Sequence, residues 1–340
     1  MTVDEVAKRA GVSTATVSRV LNGGVSVRDN TKKRVLQAIE ELQYRPNLHA
    51  RSLASGASHT IGMIVSNIEN PFFLDIFCTL DNLARGRGYT VVVEHTDYRP
   101  DRLVASVETL LGLRPAGLAV IVSEMDSSIV EEIAARNLRA VLFDVGHAAP
   151  KITKIEVRYE IGMRRTVEYL YSLGHRRMAF IGHHAGLAPL EARRKTFAET
   201  VRRHAAGAEY TMMESNDSPA GAREAARNLL ASGFQPTAIL CANDFMALGV
   251  LRAVREQGLS VPEDVSVTGF DNIDLAGYSN PALTTVNVPR RRIGELCLEA
   301  LLRSDEAHRA NDTIVIDPEL VVRESTGAAP QRRPGRKSTE

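Results

Sequence analysis

The stretch from Ser13 to Gly23 reads STATVSRVLNG and crowds short hydroxyl and methyl side chains around one arginine. Such a set suits the reading of base edges. Methyls meet thymine methyls, hydroxyls bond bases or phosphates, and a guanidinium grips guanine through paired hydrogen bonds. Thr14, Ala15 and Arg19 are the expected base readers, and Ser13, Thr16 and Ser18 the expected phosphate contacts. A second set of polar residues follows short apolar runs: Ser66 and Asn70, Ser123, Asp144, Asn243-Asp244 and Asp271-Asn272, with Arg193 facing them from a helical segment. Carboxylates and amides in that pattern can bond a polyhydroxylated molecule. Each, taken alone, serves equally well as the cap of the helix that follows it.

The elements that must position the first set are helices. Thr14, Thr16, Val17 and Val20 are β-branched and favour strand, yet Val17, Val20 and Leu21 fall on a helical stripe. Ser13 can open that helix and Asn22-Gly23 can end it. Upstream, VDEVAKRAGV places Val3, Val6, Ala7 and Ala10 at helical spacing before Gly11 breaks the pattern. Two short helices around a tight glycine turn form a helix-turn-helix pattern, whose second helix enters the major groove. A third helix is expected in DNTKKRVLQAIEELQY, capped by Asn30 or Thr31, with Val35, Leu36, Ile39 and Leu42 as its buried stripe. Residues 1–45 are thus read as an all-α DNA-binding domain too small to be an enzyme core. Residues 46–59 read as a linker with one or two helical turns, in which Leu53 can wedge between base steps of a minor groove.

From Thr60 the plan changes. TIGMIVS, YTVVVEHT, AGLAVIVS and RAVLFDVG are strand-like runs separated by helical segments, and RMAFIGHH, TAILCA and VSVTGF repeat the plan. Alternation of this kind implies α/β architecture with parallel sheets covered by helices. Two such series imply two lobes, with a ligand cleft outside the carboxyl ends of the strands.

Composition fits this division. The chain has 340 residues, 44% of them hydrophobic and 24% charged, enough for two or three domains. The net charge of +1 hides a basic head, since residues 1–60 hold nine Lys/Arg against five Asp/Glu. A basic head on a mildly acidic body suits a polyanion-binding module joined to something else. Cys78, Cys241 and Cys297 lie far apart and form no CxxC pair, so neither a disulfide framework nor a zinc site is expected. His183-His184 lacks the spacing of a metal motif, GHHAG follows no phosphate-loop pattern, and no nucleophile–base pair is visible. No enzyme activity, cofactor or metal is therefore expected. Asp4 and Glu5 stand where a secretory signal needs basic then apolar residues, and no run of about 18 apolar residues occurs. A cytoplasmic protein with no membrane partner is the expectation. The rival readings are a periplasmic carrier of the same two-lobed fold and a DNA-bending protein that senses nothing.

VDEVAKRAGVSTATVSRVLNG, TKKRVLQAIEELQYRPN and ARSLASG together resemble the lactose-repressor (LacI/GalR-type) family of bacterial transcription regulators, and the likeness runs to about residue 326. It implies a repressor with a periplasmic-binding-protein-like body. Such a repressor works as a homodimer on a pseudo-palindromic operator in double-stranded DNA, under control of a small hydrophilic effector, a sugar or sugar derivative. By the same resemblance Asn22, Asn47 and Arg51 join the DNA contacts, Ala50 lies where paired hinge helices meet, and Leu53 enters the minor groove. Arg193 and Asp271 are implied effector contacts, with Asn243 close behind. Asn70, Phe72 and Phe73 line the opposite lobe, and Ser123 and Asp144 match further pocket positions. The first lobe should comprise residues 60–158 and 286–312, and the second 159–285 and 313–326. Many relatives place an aromatic ring in the loop before the segment matching SPAGAREA. Here that loop reads MESNDSPAG, with Asn216 or Asp217 at the place of the ring and no tryptophan in the chain. Any aromatic floor is then expected from Phe72, Phe73 or Phe245. The Pro- and Arg-rich tail, 327–340, is expected to be disordered. It lacks the leucine heptads that make some relatives tetrameric, so a dimer is expected.

Overall fold

The computed structural model describes residues 2–21, 27–44, 58–125, 127–144, 149–183, 187–203, 207–304 and 312–330. Asn22, Asn47, Ala50, Arg51, Leu53, His184 and residues 331–340 lie outside the described residues. The chain divides into two units, Met1–His59 and Thr60–Glu340.

The first unit holds α1 (Val3–Ala10), α2 (Thr14–Leu21) and α3 (Asp29–Glu41). A reciprocal cap opens α1: the Thr2 backbone N–H donates to the Glu5 carboxylate at 2.7 Å, and the Glu5 N–H to the Thr2 hydroxyl at 3.3 Å. Gly11 closes α1 at φ 63°, a left-handed turn that only glycine adopts without strain. Ser13 starts α2 as expected, its hydroxyl accepting the Thr16 N–H at 3.3 Å. Val17 and Val20 are buried with Val6, Ala7, Ala10, Val35 and Ala38. Burying a valine contributes on the order of 2 kcal/mol, whereas its poor helix propensity costs a few tenths, so packing decides.

The third helix departs from expectation at its start and on its stripe. Arg28 is its N-cap and makes no side-chain cap bond, so Asn30 and Thr31 lie inside the helix. Val35 and Ala38 face the core, three residues apart, which turns Leu36 outward to 48% exposure.

The second unit is built on two parallel sheets. The first contains β1 (Thr60–Val65), β2 (Thr90–His95), β3 (Gly117–Ile121), β4 (Ala140–Phe143), β5 (Ile152–Val157) and β11 (Thr313–Ile316), in the order β11-β5-β4-β3-β1-β2. Its helices are α4 (Pro71–Arg85), α5 (Pro100–Gly112), α6 (Ser127–Ala135) and α12 (Arg290–Leu301), the last returning to pack on α4. The second sheet contains β6 (Arg177–His183), β7 (Glu209–Ser215), β8 (Ala238–Cys241) and β9 (Ser266–Thr268), in the order β7-β6-β8-β9. With it go α7 (Tyr159–Ser172), α8 (Ala188–Arg203), α9 (Pro219–Ala231), α10 (Asp244–Glu256) and α11 (Asp274–Tyr278). An antiparallel ribbon of β10 (Thr285–Asn287) and β12 (Glu319–Val321) lies where the chain crosses between lobes. Helices α9 and α10 approach so closely that a Cβ on Gly249 would lie 1.9 Å from the Pro219 carbonyl oxygen. That contact needs glycine.

The body departs from the sequence reading at four places. Strands β5 and β7 are additions to the expected apolar runs. Thr313–Ile316, expected in the second lobe, extends the first sheet, with Ile314 beside Ile155. The tail does not begin at 327: the Gly327 N–H bonds the Ser266 hydroxyl at 3.1 Å, its carbonyl accepts from His175 at 3.1 Å, and the Ala329 N–H reaches the Leu173 carbonyl at 2.9 Å. Those bonds tie residues 327–329 to the second lobe.

Among the described residues no helix is long and apolar enough to cross a membrane.

Candidate functional site

Two surfaces carry the polar residues singled out by the sequence. On the head, Ser13, Thr14, Ala15 and Arg19 are exposed along α2, with Thr16 and Ser18 half-buried beside them. The hydroxyls of Ser13 and Thr16 lie 3.0 Å apart in a hydrogen bond, so both also hold the start of the helix. An ion pair between Arg9 and Glu41, at 2.5 Å, fastens α1 to α3.

The second surface is the cleft of the body. Because every strand pair within each sheet is parallel, the carboxyl ends of each sheet fall along one edge. Ser66, Asn67 and Asn70 follow β1, Thr96–Tyr98 follow β2, Ser123-Glu124 follow β3 and Asp144 follows β4. From the second sheet come His183, Asn216-Asp217, Asn243-Asp244 and Asp271. The backbone is strained at several of these strand ends, with φ of 57° at Asp97, 58° at Tyr98, 60° at Asp144 and 98° at Asp271. Non-glycine residues hold such angles only where their surroundings over-determine them, which is common at binding sites.

Arg193 is a buried cation beside these strand ends. It projects from α8, is 6% exposed, and donates to the Ala242 carbonyl at 2.6 Å. Its guanidinium carbon lies 4.1 Å from the centroid of the Tyr159 ring and 4.6 Å from that of Phe270. Desolvated cation–π contacts of this kind contribute roughly 2 kcal/mol. Burial alone would lower its pKa, but Tyr159, Asp271 and Asp144 outweigh that and hold it above its ordinary value. The two carboxylates respond in turn. Burial pushes Asp144 up to about 7, against the pull of the Tyr159 hydroxyl, the Val157 N–H and Arg193. Asp271, 4% exposed, is pushed by burial up to about 6, with Arg193 opposing and Asp217 adding to the rise. Among the described residues, neither the Nε of Arg193 nor the Oδ1 of Asp271 has a hydrogen-bond partner.

Each of the two asparagines caps a helix with one end of its amide and reaches Asp217 with the other. Asn70 caps α4 through its Oδ1, which accepts the Phe72 N–H at 3.1 Å, and its Nδ2 donates to Asp217 at 3.1 Å. Asn243 caps α10 through its Oδ1, from the Met246 N–H at 2.8 Å, and its Nδ2 donates to Asp217 at 2.6 Å. An amide has two ends, and each end has its own task. Asp244 turns inward instead, where Thr285 and the Ile273 N–H bond its carboxylate at 2.5 and 2.8 Å.

Other expected contacts stand differently. Ser123 presents its N–H to the Ser66 hydroxyl at 3.0 Å, and that hydroxyl donates to Glu124 at 2.7 Å. Phe72 and Phe73 are buried in the core, edge to face at 5.2 Å, with Phe72 also against Phe143. Phe245 is half-buried. The rings around Arg193 are Tyr159 and Phe270, and Tyr98 packs against His183 at 4.5 Å. The sequence reading missed Asn67, Tyr98, Glu124 and Tyr159. Tyr98 and Glu124 follow strands and carried the same signal as Ser66. Among the described residues no cluster of His, Cys, Asp and Glu is arranged to hold a metal ion.

A helix-turn-helix head on a two-lobed body with a polar cleft defines a DNA-binding regulator class. Residues 2–47 match the bacterial regulatory proteins of the lacI family, and residues 167–326 match the periplasmic binding protein-like domain. The chain is 33% identical over 327 residues to the HTH-type transcriptional repressor PurR of Photobacterium profundum, covering 95% of this chain and 98% of that one. The crystal structure of the lac repressor dimer bound to operator and the anti-inducer ONPF matches with a TM-score of 0.82 at 30% identity, covering 96% and 99% of the two chains. A transcriptional regulator CelR–cellobiose complex matches with a TM-score of 0.67 at 26% identity, covering 96% and 99%. The chain belongs to the LacI family and is a DNA-binding transcriptional repressor.

Proposed function

We propose that this repressor senses a small, uncharged, hydroxyl-rich molecule, a carbohydrate or a derivative of one. The observation that carries this reading is the buried pair of unsatisfied atoms, Arg193 Nε and Asp271 Oδ1. One is a donor and the other a charged acceptor. Hydroxyl groups can accept from the first and donate to the second, and leaving such atoms unpaired costs about 1–3 kcal/mol each. The cellobiose held by the CelR relative supports the same chemistry. Asn70, Ser123, Asp144 and Asn243 are the proposed remaining contacts, with Phe72 and Phe73 behind them.

On DNA, two chains of a homodimer set their α2 helices on the half-sites of a pseudo-palindromic operator. Thr14, Ala15 and Arg19 read bases, and Ser13, Thr16, Ser18 and Asn22 hold the backbone. Asn47, Ala50, Arg51 and Leu53 of the linker complete the contact at the centre of the site. Effector binding changes the relation of the two lobes, and so the affinity for the operator.

The test is thermal unfolding of the full-length protein against millimolar sugars, polyols and purines, with Arg193→Ala as control. Ligand at about a hundred times its Kd adds about 2.7 kcal/mol, a shift easily read. Stabilisation by a carbohydrate, lost in Arg193→Ala, is the expected result. Stabilisation by purines alone overturns the carbohydrate assignment.

A further inference from the structure

The cleft contains a carboxylate of its own. Asp217 lies in the loop between β7 and α9 and is 6% exposed. Its Oδ2 accepts the Tyr98 hydroxyl at 2.5 Å and the side-chain amides of Asn67 and Asn70 at 3.1 Å each. Its Oδ1 accepts the Asn243 amide at 2.6 Å, and Asn67 also bonds the Asp217 main-chain carbonyl at 3.1 Å. Of these donors only Asn243 belongs to the lobe that carries Asp217. The other three reach across from the first lobe. All of them are neutral, so the anion is held by directed hydrogen bonds rather than by a counter-charge. Bonds to an ionised acceptor are about twice as strong as neutral ones.

Three further facts support a dedicated role. Asn70 and Asn243 are the N-caps of α4 and α10, so this carboxylate lies one amide away from a helix N-terminus in each lobe, where negative charge is favoured. Tyr98 holds a left-handed backbone, and its ring packs on His183 of the second lobe. Burial and the charge of Asp217 raise the Tyr98 phenol well above its ordinary value, so it stays a donor.

We propose that Asp217 is a tethered ligand of the cleft: it holds the two lobes together with no small molecule present, and it sets the resting conformation of the repressor. The proposal goes beyond the effector reading and does not rest on it. An effector that takes the amides of Asn70 and Asn243, as proposed above, competes with this carboxylate for them.

Hydrogen exchange followed by mass spectrometry, on the full-length protein without effector, tests it. In Asp217→Ala, amides of residues 66–73 and 96–99 in the first lobe should exchange about tenfold faster, together with 215–221 in the second. Sodium formate at tens of millimolar should restore protection by supplying the missing carboxylate, and sodium chloride at equal ionic strength should not. Tyr98→Phe should loosen 215–221 from the opposite side. Faster exchange confined to 215–221 in Asp217→Ala, with the first lobe unchanged, overturns the proposal, because Asp217 then only orders its own loop. Should Asp217→Ala fail to fold, Tyr98→Phe and Asn67→Ala decide the matter: unchanged exchange at 215–221 in both overturns it. Because no effector is present, this outcome is separate from that of the carbohydrate screen.

Discussion

Arg19 and Arg193 are the same side chain put to work in opposite surroundings. Arg19 stands exposed on α2, on a head whose first sixty residues carry excess positive charge. Arg193 lies at 6% exposure between two aromatic rings, in reach of two carboxylates whose protonation it shifts. In water a guanidinium attracts a polyanion from a distance and finds its geometry on arrival, so its effect is screened by salt. Out of water it is fixed in advance by the groups packed around it. The first surface selects among long partners by pattern. The second, in the function proposed above, selects among small ones by unsatisfied atoms.

The strongest way to break this contrast is Arg193→Ala. Removing the buried cation deletes its bond to the Ala242 carbonyl and its contacts with Tyr159 and Phe270, a combined loss of about 3–5 kcal/mol. Chemical unfolding should show that loss in the transition of the body, and ligand response should vanish. If Arg193→Ala is as stable as the parent, the cleft is wetter than its burial implies.

Arg19→Ala should have a smaller and different effect. Loss of a bidentate base contact reduces operator affinity by about 1–3 kcal/mol, roughly ten- to a hundredfold, and relaxes preference at one base pair. Binding titrations on operator DNA measure it. Ligand-induced stabilisation of the DNA-free protein should not change, and a change would deny that the two surfaces are separate.

The smallest effect sharpens the contrast through pH. Asp144 at about 7 and Asp271 at about 6 both lie above the ordinary 3.8. Across that window the folded chain binds more protons than the unfolded one, so these groups make stability fall as pH rises from about 4 to about 7. Unfolding midpoints between pH 5 and 8, measured for the parent and Asp271→Asn, should show a shallower slope in the variant near pH 6. Arg19→Ala should leave that slope unaltered.

Legibility followed the range of the interactions. The head was readable because its helices are local: the stripe of Val17 and Val20 and the cap at Ser13 are both within one turn or two. The α/β plan was readable from alternation, and with it the placing of Asn70, Asn243 and Asp271 at strand ends. Strand β7 escaped because it is an edge strand whose residues are mostly half-buried, which blurs the apolar run. Strand β5 escaped because Lys154 and Glu156 interrupt it, their ion pair at 2.7 Å satisfying both charges. The placing of Thr313–Ile316 rests on a pairing with residues far away in sequence, which no local pattern carries. Asp217 was legible only as one of two residues, with Asn216, at the place of an aromatic ring, and its four partners come from four separate positions along the chain.

The crossing of the chain between lobes has a consequence for how such repressors diversify. Strand β11 completes the first sheet after the second has been built, and β10 and β12 pair across the crossings. Neither lobe is a continuous piece of chain, so a recombination event that joins two parental genes at one point cannot exchange a lobe intact. The boundary at His59–Thr60 is different, because one junction there transfers a whole unit. New pairings of operator and effector can therefore arise by swapping heads, whereas new effector preferences within a body must accumulate by substitution around the cleft.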